Sequence, residues 1–376
     1  MVSRFVAASA ALLAALGAAS CAALVGLDQD FERGTGATGG AGGGGAAGTG
    51  GTTTTGPACQ PVHPPDNPGG TDSGDIEFVT AMRKIDLDEK SPDVTLGMDI
   101  DGLCTCLEGA PPMCTPIADL VCDGPNGIDN ALGIIFAAVY DLSSGAITSG
   151  QLSAAAGKGQ WTNLVRVRGY NGEANDPKVS VQVYMTQGVN AGMPTPVWDG
   201  NDAWPVDDTS LAAPPDLDSA LISTEDAYVA DNVIVVHIPS EQLRIRGTLF
   251  EMNLDLRDVT FRANLEPGTA AGQYKFTNGV VSGKWALVDA FKGLSSIRYA
   301  SGNKLCIGDD NYLAVKSTIC GNADIRIESG EGTCDALSFG ATFASDPAKL
   351  GMVVPAAGPP SDPCDPGTDP TSDFCE

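Results

Sequence analysis

The sequence predicts a mainly β protein: an antiparallel β-sandwich with a few short helical insertions, stapled by disulfides. Three observations lead there. After Trp161, apolar residues recur at every second position over many short stretches, the period of a strand with one buried face. Clusters of Gly, Asn and Asp separate those stretches, as turns between neighbouring strands require. Of eleven cysteines, all but Cys21 fall in region 58–376, in one group from Cys59 to Cys122 and a second from Cys306 to Cys375.

In chain order, Ile76, Phe78, Ile85 and Leu87 mark the first strands, and Thr95 to Ile100 another, ending in Asp99-Ile100-Asp101-Gly102. Ile128, Leu132, Ile135 and Val139 recur at helical spacing, with Asn126 as the expected cap and Asp129 in the first turn. A second short helix is expected over Ser149 to Ala156. From Trp161 the period becomes two. Leu164 to Arg168 forms one strand, and Val179 to Met185 a second, joined by the Asn171–Pro177 loop into a hairpin. Asn190 to Pro215 is irregular. Asn232 to Ile238 is a buried strand, and Leu243 and Ile245 continue the alternation. Phe250, Met252, Leu254 and Leu256 occupy even positions, whereas Val259, Phe261, Ala263 and Leu265 occupy odd ones. A one-residue phase change sends the apolar set to the other face, so Arg257-Asp258 must form a bulge or tight turn. Tyr274 and Phe276 start another strand. Lys284 to Gly293 is an expected helix carrying Trp285, Val288 and Phe291. Ile325 and Ile327 mark a last strand, and Ala336 to Ala344 fits either state. From Pro355 the tail is rich in Pro, Asp and Gly.

The N-terminus has a different character. Arg4 precedes an apolar run from Phe5 to Leu16, followed by Leu16-Gly17-Ala18-Ala19-Ser20-Cys21. That run has the length of a secretory leader and is too short to span a membrane. The segment resembles the lipobox of bacterial lipoproteins, with Ala18 where Leu is usual. The resemblance implies a signal peptide over 1–20, a mature N-terminus at Cys21 carrying a thioether-linked lipid, and a place in the bacterial cell envelope as an outer-membrane lipoprotein. Ordinary secretion with cleavage after Ser20 is the competing reading. Residues 21–57 are dominated by Gly, Ala and Thr, which bury no core and form a flexible tether. At about 35 residues such a coil spans roughly 30–35 Å.

Parity supports the same compartment. Without Cys21 an even set remains: Cys59, Cys104, Cys106, Cys114 and Cys122, then Cys306, Cys320, Cys334, Cys364 and Cys375. Each group has five members, so complete pairing demands at least one bridge between the groups. Cys104 and Cys106 sit too close to join each other and need distant partners. Zinc held by Cys104, Cys106, Cys114 and Cys122 is the alternative, but the spacing is not that of paired C-x-x-C knuckles and export favours disulfides. The chain carries 47 acidic and 21 basic residues, a formal charge of −26. Such a chain repels nucleic acid and anionic headgroups; cations, neutral sugars and basic surfaces remain as partners.

Catalytic motifs are scarce. The only histidines are His63, in a Pro-rich arm, and His237, within an apolar strand. There is no G-x-S-x-G and no H-E-x-x-H. Two features carry candidate chemistry. Asp99 and Asp101, with Asp123 and Asp129, place hard oxygens beside Gly turns, as calcium requires, though neither loop has an EF-hand Glu at its twelfth position. A helix beginning near Ile128 would point its positive end at the Asp123 loop. Trp198, Asp199, Asp202 and Trp204 combine aromatic faces with carboxylates, a pattern suited to a glycan or another cell-surface ligand; the alternative is two tryptophans folded back onto the sheet. The sequence therefore predicts an exported, lipid-anchored protein with a non-catalytic binding or structural role. A secreted carbohydrate-active hydrolase on the same sandwich is the second reading.

Overall fold

The structure, a computed structural model, describes residues 59–375 except 72–73, 90–94, 108–109, 119, 143–147, 187, 189–194, 247–250, 297–304 and 357–363. The leader, Cys21 and the tether lie outside the described residues, as do Phe250 and the side chains of Val139 and Ile245. In chain order the elements are β1 (Ile76–Asp86), α1 (Ala131–Leu142), α2 (Ser149–Gly157), β2 (Thr162–Tyr170), β3 (Ser180–Thr186), β4 (Ala203–Asp207), β5 (Ile222–Thr224), β6 (Ala227–Ala230), β7 (Val233–Arg246), β8 (Glu251–Pro267), β9 (Tyr274–Ala286), α3 (Leu287–Ser296), α4 (Asp310–Gly321) and β10 (Ala336–Val354).

Antiparallel β structure dominates, as expected, but the arrangement is one sheet rather than two facing ones. The sheet has ten strands, in the order β5-β3-β2-β1-β10-β9-β8-β7-β6, with β4 added in parallel to β10. Its ends meet. The Asp176 and Val229 amides donate to each other's carbonyl, and the Val179 and Asn232 amides bond Ala227 and Ala174 carbonyls. The result is a nearly closed barrel. Alternation alone does not separate a barrel from a sandwich, because both have one apolar face per strand. Curl separates them, and bulges supply curl. Register slips between Met82 and Lys84, Arg257 and Thr260, Arg262 and Asn264, and Phe343 and Ser345. The expected phase correction at Arg257-Asp258 is among them. Asp258 adopts φ 49° there, and Leu254, Leu256, Val259 and Phe261 all face one core.

That core fills the barrel. Phe78, Phe261, Phe276 and Phe343 meet edge-on or tilted, with Tyr170 and Tyr274 beside them, at centroid separations of 4.9–6.5 Å. The helices add Leu132, Ile135, Leu152, Phe291, Tyr312 and Ile319 to the same core. The Thr148 side chain caps α2 by accepting from the Gln151 amide. Ser149 and Ser153 then accept from the Leu87 and Ile85 amides, docking α2 on the end of β1.

Some sequence expectations are corrected. Thr95 to Ile100 is not a strand but part of a strap lying across β9 and β10: the Met98 amide bonds Ser282 Oγ, and the Gly340 amide bonds Asn130 Oδ1. Gly340 permits this approach, since a Cβ there would lie 2.2 Å from the Leu96 carbonyl oxygen. The first helix starts at Ala131, and Asn130, not Asn126, caps it by accepting from the Gly133 amide. Asn126 sits in a preceding 3-10 turn at φ 63°. Trp285 ends β9 rather than opening a helix, and Val288 is exposed. Ile325 makes only an isolated bridge to Ala336. The second strand of the hairpin is buried on both faces, because residues 198–220 cover its outer side with Trp198, Trp204, Val206, Leu211 and Leu217.

All ten cysteines between Cys59 and Cys375 are paired: Cys59–Cys104, Cys106–Cys122, Cys114–Cys334, Cys306–Cys364 and Cys320–Cys375. Cys114–Cys334 is the bridge between groups that parity demands. With their sulfurs in disulfides, Cys104, Cys106, Cys114 and Cys122 hold no zinc.

Candidate metal centre

Two staples and the docked strap bring the four predicted acidic residues together. Cys59–Cys104 and Cys106–Cys122 fold the segment between Asp99 and Asp129 back on itself. The Asp129 amide bonds the Met98 carbonyl, and the Asp123 amide the Thr105 carbonyl. Asp99, Asp101 and Asp129 thereby each offer a carboxylate oxygen within 4.8 Å of the others. Asp99 and Asp129 are buried and Asp101 is half-buried.

Each carboxylate is fixed by a backbone amide. Gly102 donates to Asp99 Oδ1 at 2.7 Å, Leu103 to Asp101 Oδ1 at 2.8 Å, Ile100 to Asp129 Oδ2 at 2.7 Å and Thr105 to Asp123 Oδ2 at 2.5 Å. The Asp123 and Asp129 carboxyls also hydrogen-bond each other. Asp99 Oδ2 is buried with no hydrogen-bond partner. It lies against Gly127, at φ +74°, where a Cβ would come within 3.2 Å of it.

Positive charge near this cluster is sparse. His63 Nε2 lies 4.0 Å from Asp99 Oδ2 on an exposed side chain. Lys284 acts on Asp101 but makes its ion pair with Asp258 at 3.0 Å. Burial therefore pushes all four carboxyls up, and repulsion from neighbouring carboxylates adds to it at Asp101, Asp123 and Asp129. Asp129 is raised by burial first, then by the charges of Asp101, Asp123 and Asp324.

Asp324 is the residue that sequence reasoning missed. It is half-buried, and desolvation pushes its carboxyl up to about 7 even though the Ser338 hydroxyl and amide both donate to it, at 2.5 and 2.8 Å. Ser338 in turn accepts from the Ala131 amide at 2.7 Å, which ties Asp324 to the start of α1. Nothing local marks it; only the Cys114–Cys334 bridge and the β10 pairing bring it near the strap.

The two tryptophans fold back onto the sheet, the alternative to a glycan-binding face. Trp204 is fully buried and stacks, tilted, on Trp198 at 5.2 Å, so it has no face to offer a ligand. Trp198 is half-buried, donates through Nε1 to the Gly157 carbonyl at 3.2 Å, and carries the Arg83 guanidinium 5.1 Å over its ring. Asp202 accepts from the Val197 and Trp198 amides and so holds the turn. Asp199 alone of the four is exposed. Beside this loop lies an open cleft of about 730 Å³, lined by Glu77, Phe78, Arg166, Leu217, Gln273 and Lys349 among others. Arg166 and Arg168 bridge Glu77 and Asp218 across it. These hydrogen bonds, Arg166's first, hold the Asp218 carboxyl below the usual range; a general acid needs the opposite shift. His237 is half-buried on the outer face of β7, not in the core, with Nδ1 2.9 Å from Thr260 Oγ1.

No family model, curated protein or solved structure matches the chain.

Proposed function

We propose that the chain is an exported, lipid-anchored protein of the bacterial envelope whose barrel serves as a non-catalytic binding module on a tether. The supporting observation is sulfur parity. The chain has eleven cysteines, and all ten downstream of Cys21 pair with one another. Cys21 is left without a sulfur to bridge, inside a lipobox-like segment. Five disulfides belong to an oxidising, non-cytoplasmic compartment, and no helix among the described residues is long and apolar enough to cross a membrane.

The cleft beside the Trp198 loop is the ligand site of this reading. It combines apolar wall from Val79 and Leu217 with the Gln273 amide and the Lys349 ammonium, the mixture small-molecule and glycan sites use for contact area and orientation. Intact mass and detergent partitioning of the full chain expressed in a bacterial host test the anchor. The expected result is a mature chain starting at Cys21 with added lipid mass, both lost in Cys21→Ala. A mature N-terminus elsewhere refutes it. A glycan array probed with the full chain tests the cleft: binding is expected to fall in Gln273→Ala and Lys349→Ala. Binding that both variants leave unchanged places the site elsewhere.

A further inference from the structure

We infer that Asp99, Asp101 and Asp129 form a calcium site that locks the strap onto the barrel, with Asp123 behind it. The geometry is that of a single hard cation. Calcium binds oxygen at about 2.4 Å, so no two of its ligand oxygens stand more than about 4.8 Å apart, and Asp99, Asp101 and Asp129 each offer an oxygen within that distance of the others. Each carboxylate has one oxygen pinned by a backbone amide. The ion therefore meets oriented ligands and little ordering remains to be done.

The buried, unpartnered Asp99 Oδ2 is independent evidence for a ligand. A buried carboxylate oxygen with no donor is costly, and no amide, hydroxyl or ammonium reaches it. The His63 ring, the nearest basic group, has Nε2 at 4.0 Å on an exposed side chain. Gly127 packs beside that oxygen, where a Cβ would come within 3.2 Å of it and 2.7 Å of the Leu103 carbonyl oxygen. A catalytic dyad is a poor alternative use of these groups. Asp99 and Asp129 have only 6% and 3% of their surface exposed, which admits an ion through half-buried Asp101 but no polymer substrate. All-oxygen ligation selects calcium or magnesium over softer metals. Magnesium keeps most of its water and demands a tighter octahedron, so three fixed carboxylates favour calcium. With rigid loops and three charges, the dissociation constant belongs in the extracellular range, about 0.1–1 mM.

The site stands or falls apart from the lipid anchor, since it needs only the folded strap. The experiment is calcium titration of the chelator-treated full chain in detergent, by calorimetry and thermal melting, with magnesium as the control. One equivalent of calcium is expected to bind. At ten times the dissociation constant the melting temperature should rise about 2 °C, and magnesium should give less than half of that. Asp101→Asn keeps the acceptor for the Leu103 amide and should weaken calcium at least about tenfold. Asp310→Asn, remote on α4, should leave it unchanged. Should Asp101→Asn fail to fold, equilibrium dialysis of the unmodified chain decides by stoichiometry: one saturable calcium supports the site. Many weak equivalents, equal shifts with both ions, or full affinity in folded Asp101→Asn overturn it.

Discussion

Removing Cys114–Cys334 should destabilise the barrel more than removing any other single bridge, and the structure sets the size of the effect. Its half-cystines are 220 residues apart, against 16 for Cys106–Cys122. In the chain-entropy model a cross-link acts on the unfolded chain through the logarithm of the loop it closes, which gives about 5 kcal/mol for the long loop and about 3 kcal/mol for the short one. The paired substitutions Cys114→Ala/Cys334→Ala and Cys106→Ala/Cys122→Ala should therefore differ by about 2 kcal/mol. At roughly 2.1 cal/mol/K per residue over some 320 residues, that difference is about 3 °C in melting temperature. Urea unfolding in the presence of a chelator is the assay, since Cys106–Cys122 also holds the strap that carries Asp101 and Asp123. The long-loop variant should show a steeper denaturant dependence as well, because its unfolded chain expands more. Equal losses in the two variants, or a larger loss for Cys106–Cys122, would refute the loop-length reasoning and point to native-state packing around the short bridge.

Two further outcomes are expected. Asp324 is raised to about 7 by burial, so the folded state holds a proton there that the unfolded chain releases near pH 4. Its contribution is fully present below about pH 4 and is lost as pH rises through 7. Asp324→Asn does not titrate, and the stability gap between variant and parent should move in favour of the variant by about 2–3 kcal/mol between pH 5 and pH 8; a gap independent of pH, followed by urea unfolding, excludes the shift. Gly340→Ala sets a Cβ 2.2 Å from the Leu96 carbonyl oxygen and should cost about 3 kcal/mol or more by lifting the strap. A loss under about 0.5 kcal/mol would show that the strap does not rest on β10.

Much of the fold was legible where periodicity is local. Val181 and Val183, Leu254 and Leu256, and Val259 and Phe261 announce strands, and the phase change at Arg257-Asp258 announces its bulge, because a pleated strand with one core face admits no other pattern. Helix α4 escaped notice, although Tyr312, Val315 and Ile319 are buried at helical spacing; its mean hydropathy is low and polar residues fill the gaps. β10 was ambiguous because Ser338, Gly340 and Ala341 are small. They are small since the strand is covered on both faces, inside by the core and outside by the strap, and that cover comes from distant sequence.

The sequence by itself determined composition-level and short-range facts: antiparallel β structure, an even set of bridging cysteines with at least one link between the groups, and four aspartates beside Gly turns. These follow from residue chemistry and from periods of two to four residues, which need no partner to be read. Only the tertiary structure decided that the sheet curls into a barrel, that Trp204 is buried, and that Asp99, Asp101, Asp123 and Asp129 share one pocket with Asp324 behind them. Closure depends on accumulated twist at bulges. The pocket depends on which cysteines pair and on a glycine at position 340 that lets the strap lie flat. Those are choices between non-local contacts, and no local pattern in the chain encodes them.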